Sequence, residues 1–149
     1  WGAPLALFFL LHGSKKLISK LPYLILICCS ATFFAHGWEA VHLNPSFIDL
    51  IYINAQNIKI NISLKSIHLM LYTIGSMDIF ISLFLFFKRP PKLLLWMVFW
   101  GLVTAFSRPF ALGFDNGWQE VFIRSANPGL PLLLYFLSTT TSKQGPTHE

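Results

Sequence analysis

Apolar residues in this chain come in blocks. Pro22 to Val41, Ile67 to Phe87, Leu93 to Ala111 and Gln119 to Ser138 are runs dominated by Leu, Ile, Phe, Met and Trp. Each is about 20 residues long, enough to carry a helix across a bilayer. Inside lipid the backbone amides must be satisfied within the segment, so the blocks predict helices and not strands. A shorter block, Trp1 to His12, reads as part of another span. The expected fold is all-α: an integral membrane four-helix bundle over residues 22–138, with an outer loop at 42–66. A partial transmembrane helix at 1–12 and a basic loop at 13–21 precede it, and a disordered tail at 139–149 follows. Pro128, Gly129 and Pro131 predict a kink in the last span.

The connections sort by charge. Lys15, Lys16 and Lys20 precede the first full span, and Lys88, Arg89 and Lys92 flank Pro90 and Pro91 between the second and third. The connection before the fourth span has Asp115 and Glu120 and no Lys or Arg. The positive-inside rule places segments 13–21 and 88–92, together with the tail, in the cytoplasm. The connection at 42–66 then faces out. Its PSFIDLIYINAQNIKINIS is too polar to span, yet rich in Ile, Phe and Tyr. It predicts either a short amphipathic helix on the outer surface or a strand-like cover over the bundle mouth.

Aligned from Gly2 on Gly129, the opening GAPLALFFL and the later GLPLLLYFL agree at six of nine positions. Two Leu/Phe-rich stretches can match by chance. Alternatively, the chain opens inside the last helix of an earlier copy of a repeated unit. The two segments lie 129 − 2 = 127 positions apart and cross in the same direction, as a tandem repeat with an even number of spans requires. That parallel relation favours the repeat.

Composition agrees with the pattern: 54% of residues are hydrophobic and only 11% charged, where a soluble domain has about 25% charged. The net charge of +5 sits at helix ends, so it is no nucleic-acid footprint. Cys28 and Cys29 are adjacent in an apolar run, where a bond between them would be strained.

Polar residues within the spans carry the functional signal, because each is expensive in lipid. At helical spacing the stripes read Cys29, Thr32, His36, Glu39; then His68, Tyr72, Gly75, Asp78, Ser82; then Gly101, Thr104, Arg108; and last Glu120, Arg124, Asn127, Pro131. Turned inward, they gather a buried polar cluster of His36, Glu39, His68, Asp78, Arg108, Arg124 and Asn127, mostly in the outer third. Glu39 is expected to pair with Arg108 or Arg124, and Asp78 to rely on Thr104 or Tyr72. Such a cluster serves either to hold the helices together or to bind a quinone or similar amphipathic ligand. A metal or haem is not expected, since His36, Glu39 and His42 spread over a wide arc of helix. The tryptophans are expected at the boundaries or facing lipid and packing surfaces. No catalytic residue can be named: no nucleophile stands with its base, and no phosphate loop is present.

The segments FFAHGWEAVHLNP and TIGSMDIFISLFLFF, with the short basic turn that follows, resemble the DoxX-like membrane proteins. His36, Gly37 and Glu39 carry most of the likeness, and LLHGSKKL at 10–17 partly echoes it. The resemblance covers about Pro22 to Ser138, and the long outer connection departs from that family's compact pattern. It implies a small bundle serving as membrane partner of a redox or detoxifying enzyme, with quinone chemistry in some members, in the bacterial inner membrane. The function expected first is a non-catalytic accessory or anchor subunit of a larger redox or respiratory-type assembly. The alternatives are a protein handling a quinone or small solute through the outer cluster, and part of a transporter. The expected partners are the lipid bilayer and other membrane subunits or further copies of the chain, with quinone the one cofactor in view.

Overall fold

The computed structural model describes residues 20–143, and every regular element among them is an α-helix. The expected partial span at 1–12, most of the basic loop at 13–21 and the end of the tail lie outside the described residues.

The first helix, α1 (Leu21–Val41), starts with Pro22 in its first turn, where the missing N–H has no intrahelical partner to lose. It ends at Leu43, whose φ of 54° lets Asn44 N–H donate back to the Glu39 carbonyl at 3.1 Å. Asn44 then caps α2 (Pro45–Asn57), its side chain accepting from Ser46 N–H at 3.0 Å. Residues 42–66 therefore contain a true helix, followed by the extended stretch Ile60–Ser63. Ser63 caps α3 (Leu64–Phe87), and Pro91 opens α4 (Pro91–Leu112). Gly113, with φ of 82°, turns the chain directly from α4 into α5 (Phe114–Ile123).

The last expected span is two helices. After α5 the chain breaks at Arg124 and Ser125 and resumes as α6 (Ala126–Lys143). The break falls upstream of the predicted kink because Pro128 has no N–H to give the Arg124 carbonyl, which accepts from Asn127 N–H instead. Pro128 and Pro131 themselves are helical. The helix also runs on through 139–143, so the expected disorder from Thr139 begins too early; the Thr139 hydroxyl donates to the Tyr135 carbonyl at 3.0 Å.

Among the described residues three helices, α1, α3 and α4, are long and apolar enough to cross a membrane. Only 28–39% of their most apolar windows is buried. Tyr23, Leu69, Phe80, Phe87 and Phe110 face outward, more apolar surface than water tolerates and what a bilayer accepts. The 18-residue α6 ends in the polar STTTSK and does not join that group.

Helix α1 packs along α3, α4 along α6 and α5, and α1 against α6. Although consecutive, α3 and α4 do not pack along their length; α2 touches both and bridges them. Glycines permit the tight crossings. A methyl group on Gly75 would lie 2.6 Å from the Gly37 carbonyl oxygen, and one on Gly101 would lie 2.7 Å from Pro128 N. Close backbone approach of this kind is how helices associate in lipid, where burial supplies little drive. One core unites Leu26, Phe33, Leu85, Met97 and Leu134; a second, smaller one seats Phe47, Ile48 and Ile51 of α2 on Ala40, Ile67 and Leu71. At the far end the Arg89 guanidinium stands over the Tyr23 ring at 5.4 Å, so the Lys88–Lys92 turn and Lys20 share one end of the molecule.

Candidate functional site

Because α3 and α4 stand apart under α2, a cavity of about 420 Å³ opens between them. That volume lies in the ~300–1,000 Å³ range of small-molecule sites. Its walls are mainly aliphatic and aromatic. Phe33, His36 and Ala40 come from α1, Leu71, Ile74 and Asp78 from α3, and Trp100, Thr104, Ser107 and Arg108 from α4. Asn127 of α6 and Arg124 at the break complete the polar side, and α2 forms the roof.

The roof is fastened to α4 by two amides. Asn54 donates to the Ser107 carbonyl at 3.1 Å and Asn57 to the Phe110 carbonyl at 2.6 Å. Three residues apart, they share one face of α2. The Phe110 carbonyl is in the last turn of α4, where intrahelical donors run out, and the Ser107 carbonyl lies one turn before it. Replacing both asparagines with alanine is expected to remove about 2 kcal/mol of docking, at ~1 kcal/mol per bond. Hydrogen exchange should then rise in α2 and stay unchanged across the α1–α3 contact; equal protection of α2 in the double variant would show that the amides do not hold it.

Of the seven residues in the expected cluster, the cavity gathers His36, Asp78, Arg108, Arg124 and Asn127. The Asn127 amide meets His36 Nε2 at 3.2 Å, joining α6 to α1. Glu39 and His68 are not among the cavity-lining residues. Glu39 is exposed, and the expected pair with Arg108 or Arg124 does not form. Instead Arg124 Nε donates to Glu120 Oε2 at 3.3 Å, one turn back on α5. Glu39 acts on Arg108 and His36 through space only. His68 lies partly buried in the first turn of α3.

Asp78 is 5% exposed, and its Oδ1 has no hydrogen-bond partner. Neither expected partner serves it: Tyr72 points outward at 47% exposure, and the Thr104 hydroxyl donates to the Gly101 carbonyl. The polar group that bears on the carboxyl is the Trp100 indole, whose Nε1 is likewise buried and without a bond of proper geometry. Trp100 therefore lines the site as well as packing against the core, so it is more than the lipid-facing or packing residue expected. Its spacing of four from Thr104 and eight from Arg108 puts it on their face of α4. Arg108 makes no hydrogen bond or ion pair with any described residue, and its charged neighbours are Arg124, Glu120 and Glu39.

The mouth is lateral. Met70 of α3, Val103 of α4 and Ile60 beyond α2 line the cavity while being 42%, 41% and 52% exposed. Met70 and Val103 stand on the apolar flanks of helices able to cross a bilayer, and Ile60 follows the roof helix.

Comparison with protein-family models, with curated proteins and with solved structures finds no match to this chain. The resemblance to DoxX-like proteins rests on the segments quoted above.

Proposed function

We propose that this is an integral membrane protein that binds one amphiphilic molecule, drawn from the lipid phase, in the cavity between α3 and α4. A single observation carries the reading: a largely apolar cavity has on its wall a buried Asp78 oxygen and Trp100 Nε1 that lack well-formed hydrogen bonds, and a half-buried Arg108 without a partner among the described residues. Buried polar groups are ordinarily satisfied, and leaving one unmade costs ~1–3 kcal/mol. A ligand with a polar head and an apolar body offsets that cost. The fourth span of the proposed bundle is α6 with its preceding break. The outer cluster and α2 face out, and the basic Lys88–Lys92 turn faces the cytoplasm. A quinone belongs among the ligand candidates, as does a small solute with an apolar body. The accessory-subunit reading draws nothing from the cavity and stands on the apolar exterior.

The test needs no prior choice of ligand. The protein is extracted from its membrane in styrene–maleic acid particles, alongside Thr104→Phe, whose added ring fills the cavity. Organic extracts of both are compared by mass spectrometry. One species held near stoichiometric amount by wild type and missing from Thr104→Phe is expected. Identical bulk-lipid extracts from the two would refute binding, and co-purified protein subunits would favour the accessory reading.

A further inference from the structure

The geometry points to a ligand with an anionic head, a carboxylate or phosphate on a single apolar chain, seated with that head on Arg108 and its chain leaving between Met70 and Val103. This deepens the binding reading above and rests on it. Among the charged side chains that line the cavity, Arg108 and Arg124 are cationic and only Asp78 is acidic. Arg124 already gives its Nε–H to Glu120, whereas Arg108 brings five N–H donors to the wall with no acceptor among the described residues. The neighbouring Asn54 amide is engaged on Leu50 and Ser107 carbonyls, so it does not compete for the head. A planar guanidinium held beside a second one matches the paired oxygens of a carboxylate or phosphate.

Orientation follows from the other end. Asp78 lies three residues inward of the Gly75 crossing on α3, and Arg108 lies seven residues outward of the Gly101 crossing on α4. By the helical rise the two levels differ from their crossings by roughly 5 Å and 10 Å in opposite senses. An anionic head placed at the deep end would meet Asp78, a like charge or at best a single donor. At the outer end it meets Arg108 directly; Arg124 is already paired to Glu120, and Glu39 stands outside the cavity. Between the two, Ile51, Leu71 and Ile74 offer the chain only apolar contact, and the lateral mouth lets it continue into lipid.

The experiment compares dodecyl phosphate, dodecanoate and the uncharged 1-dodecanol on the whole protein in nanodiscs, with inorganic phosphate as a headgroup-only probe. Binding is read by native mass spectrometry and by thermal shift. Both anions are expected to bind about tenfold or more tightly over dodecanol, the scale of one charge-assisted hydrogen bond. Arg108→Gln should bring that ratio close to one, Arg108→Lys should keep part of it, and inorganic phosphate alone should bind weakly. Equal binding of anions and alcohol by wild type, all of it blocked in Thr104→Phe, would overturn the anionic head while leaving the cavity as a binding site. Binding indifferent to Thr104→Phe would sink the cavity reading and this one together. Should Arg108→Gln fail to fold, the wild-type ratio and its loss at high salt decide the matter.

Discussion

Replacement of Gly75 by leucine is expected to prevent assembly of the α1–α3 pair. The side chain would have to enter a crossing where even a methyl group meets the Gly37 carbonyl oxygen at 2.6 Å and Val41 N at 2.9 Å. Both obstacles are backbone, so no rotamer change relieves them. The helices must move apart, and that separation empties the contacts of Ala40 with Ile67 and Leu71 just above the crossing. Overpacking of this kind costs about 3 kcal/mol or more, a large fraction of a folding free energy that is itself ~5–15 kcal/mol. Gly37→Leu should behave alike, since the approach is reciprocal. Gly129→Ala is the control: a methyl group there finds nothing within 4 Å, and its effect should stay below ~1 kcal/mol. Melting midpoints and monodispersity in detergent decide. If Gly75→Leu melts like Gly129→Ala, the crossing is looser than described.

The second large effect runs the other way. Asp78→Leu is expected to raise stability by about 1–3 kcal/mol, because it removes a buried polar group with an unpartnered oxygen from an apolar wall. The extra volume can enter the adjoining cavity. Asp78→Asn, which keeps a polar group of the same shape, should lie between leucine and wild type. A residue whose removal stabilises an otherwise apolar surface is held for something other than folding, and the same Asp78→Leu protein should retain less of any co-purifying ligand. Destabilisation by leucine would show that the carboxyl has a structural partner, with Trp100 the first to test.

Much of this architecture was legible in the chain. The blocks at 22–41, 67–87 and 93–111 are the cores of α1, α3 and α4, because hydropathy summed over five turns outweighs any local choice. The stripes were legible on α4 and α6, where Gly101, Asn127 and Pro131 are buried as their spacing implied. On α1 and α3 Cys29, Gly75, Asp78 and Ser82 are buried as their spacing implied, while Glu39 and Tyr72, toward the outer ends, face outward. The cause is physical. Polar identity marked the inward face over most of its length, but near the outer ends smallness marks it, since Gly37 and Gly75 set the crossing. Glu39 beside Arg108 looked like a pair, yet Glu120 shares a helix turn with Arg124 and meets it with less ordering. The division of the last span hinged on Pro128, whose effect falls on a carbonyl four residues earlier. That Asn54 and Asn57 would fasten α2 to α4 could not be read, because nothing local names an acceptor 53 positions away.

The bridging position of α2 has a mechanical consequence. The molecule consists of two leaves, α1 with α3 and α4 with α5 and α6, which meet along α1 and α6 and through the core of Leu85 and Met97, and stand open at the α2 end of the opposite side. His36 and Asn127 lie on that shared edge, which is the hinge; α2 is the clasp across the open edge. Turning one leaf against the other strains neither the Gly37–Gly75 crossing nor the Gly101–Pro128 contact, since each lies within one leaf or close to the axis. At the open edge two amide bonds and the seat of Phe47, Ile48 and Ile51 on α1 and α3 hold α2 in place. The cavity lies between a packed core at one end and this clasp at the other, so a bulkier guest presses on both.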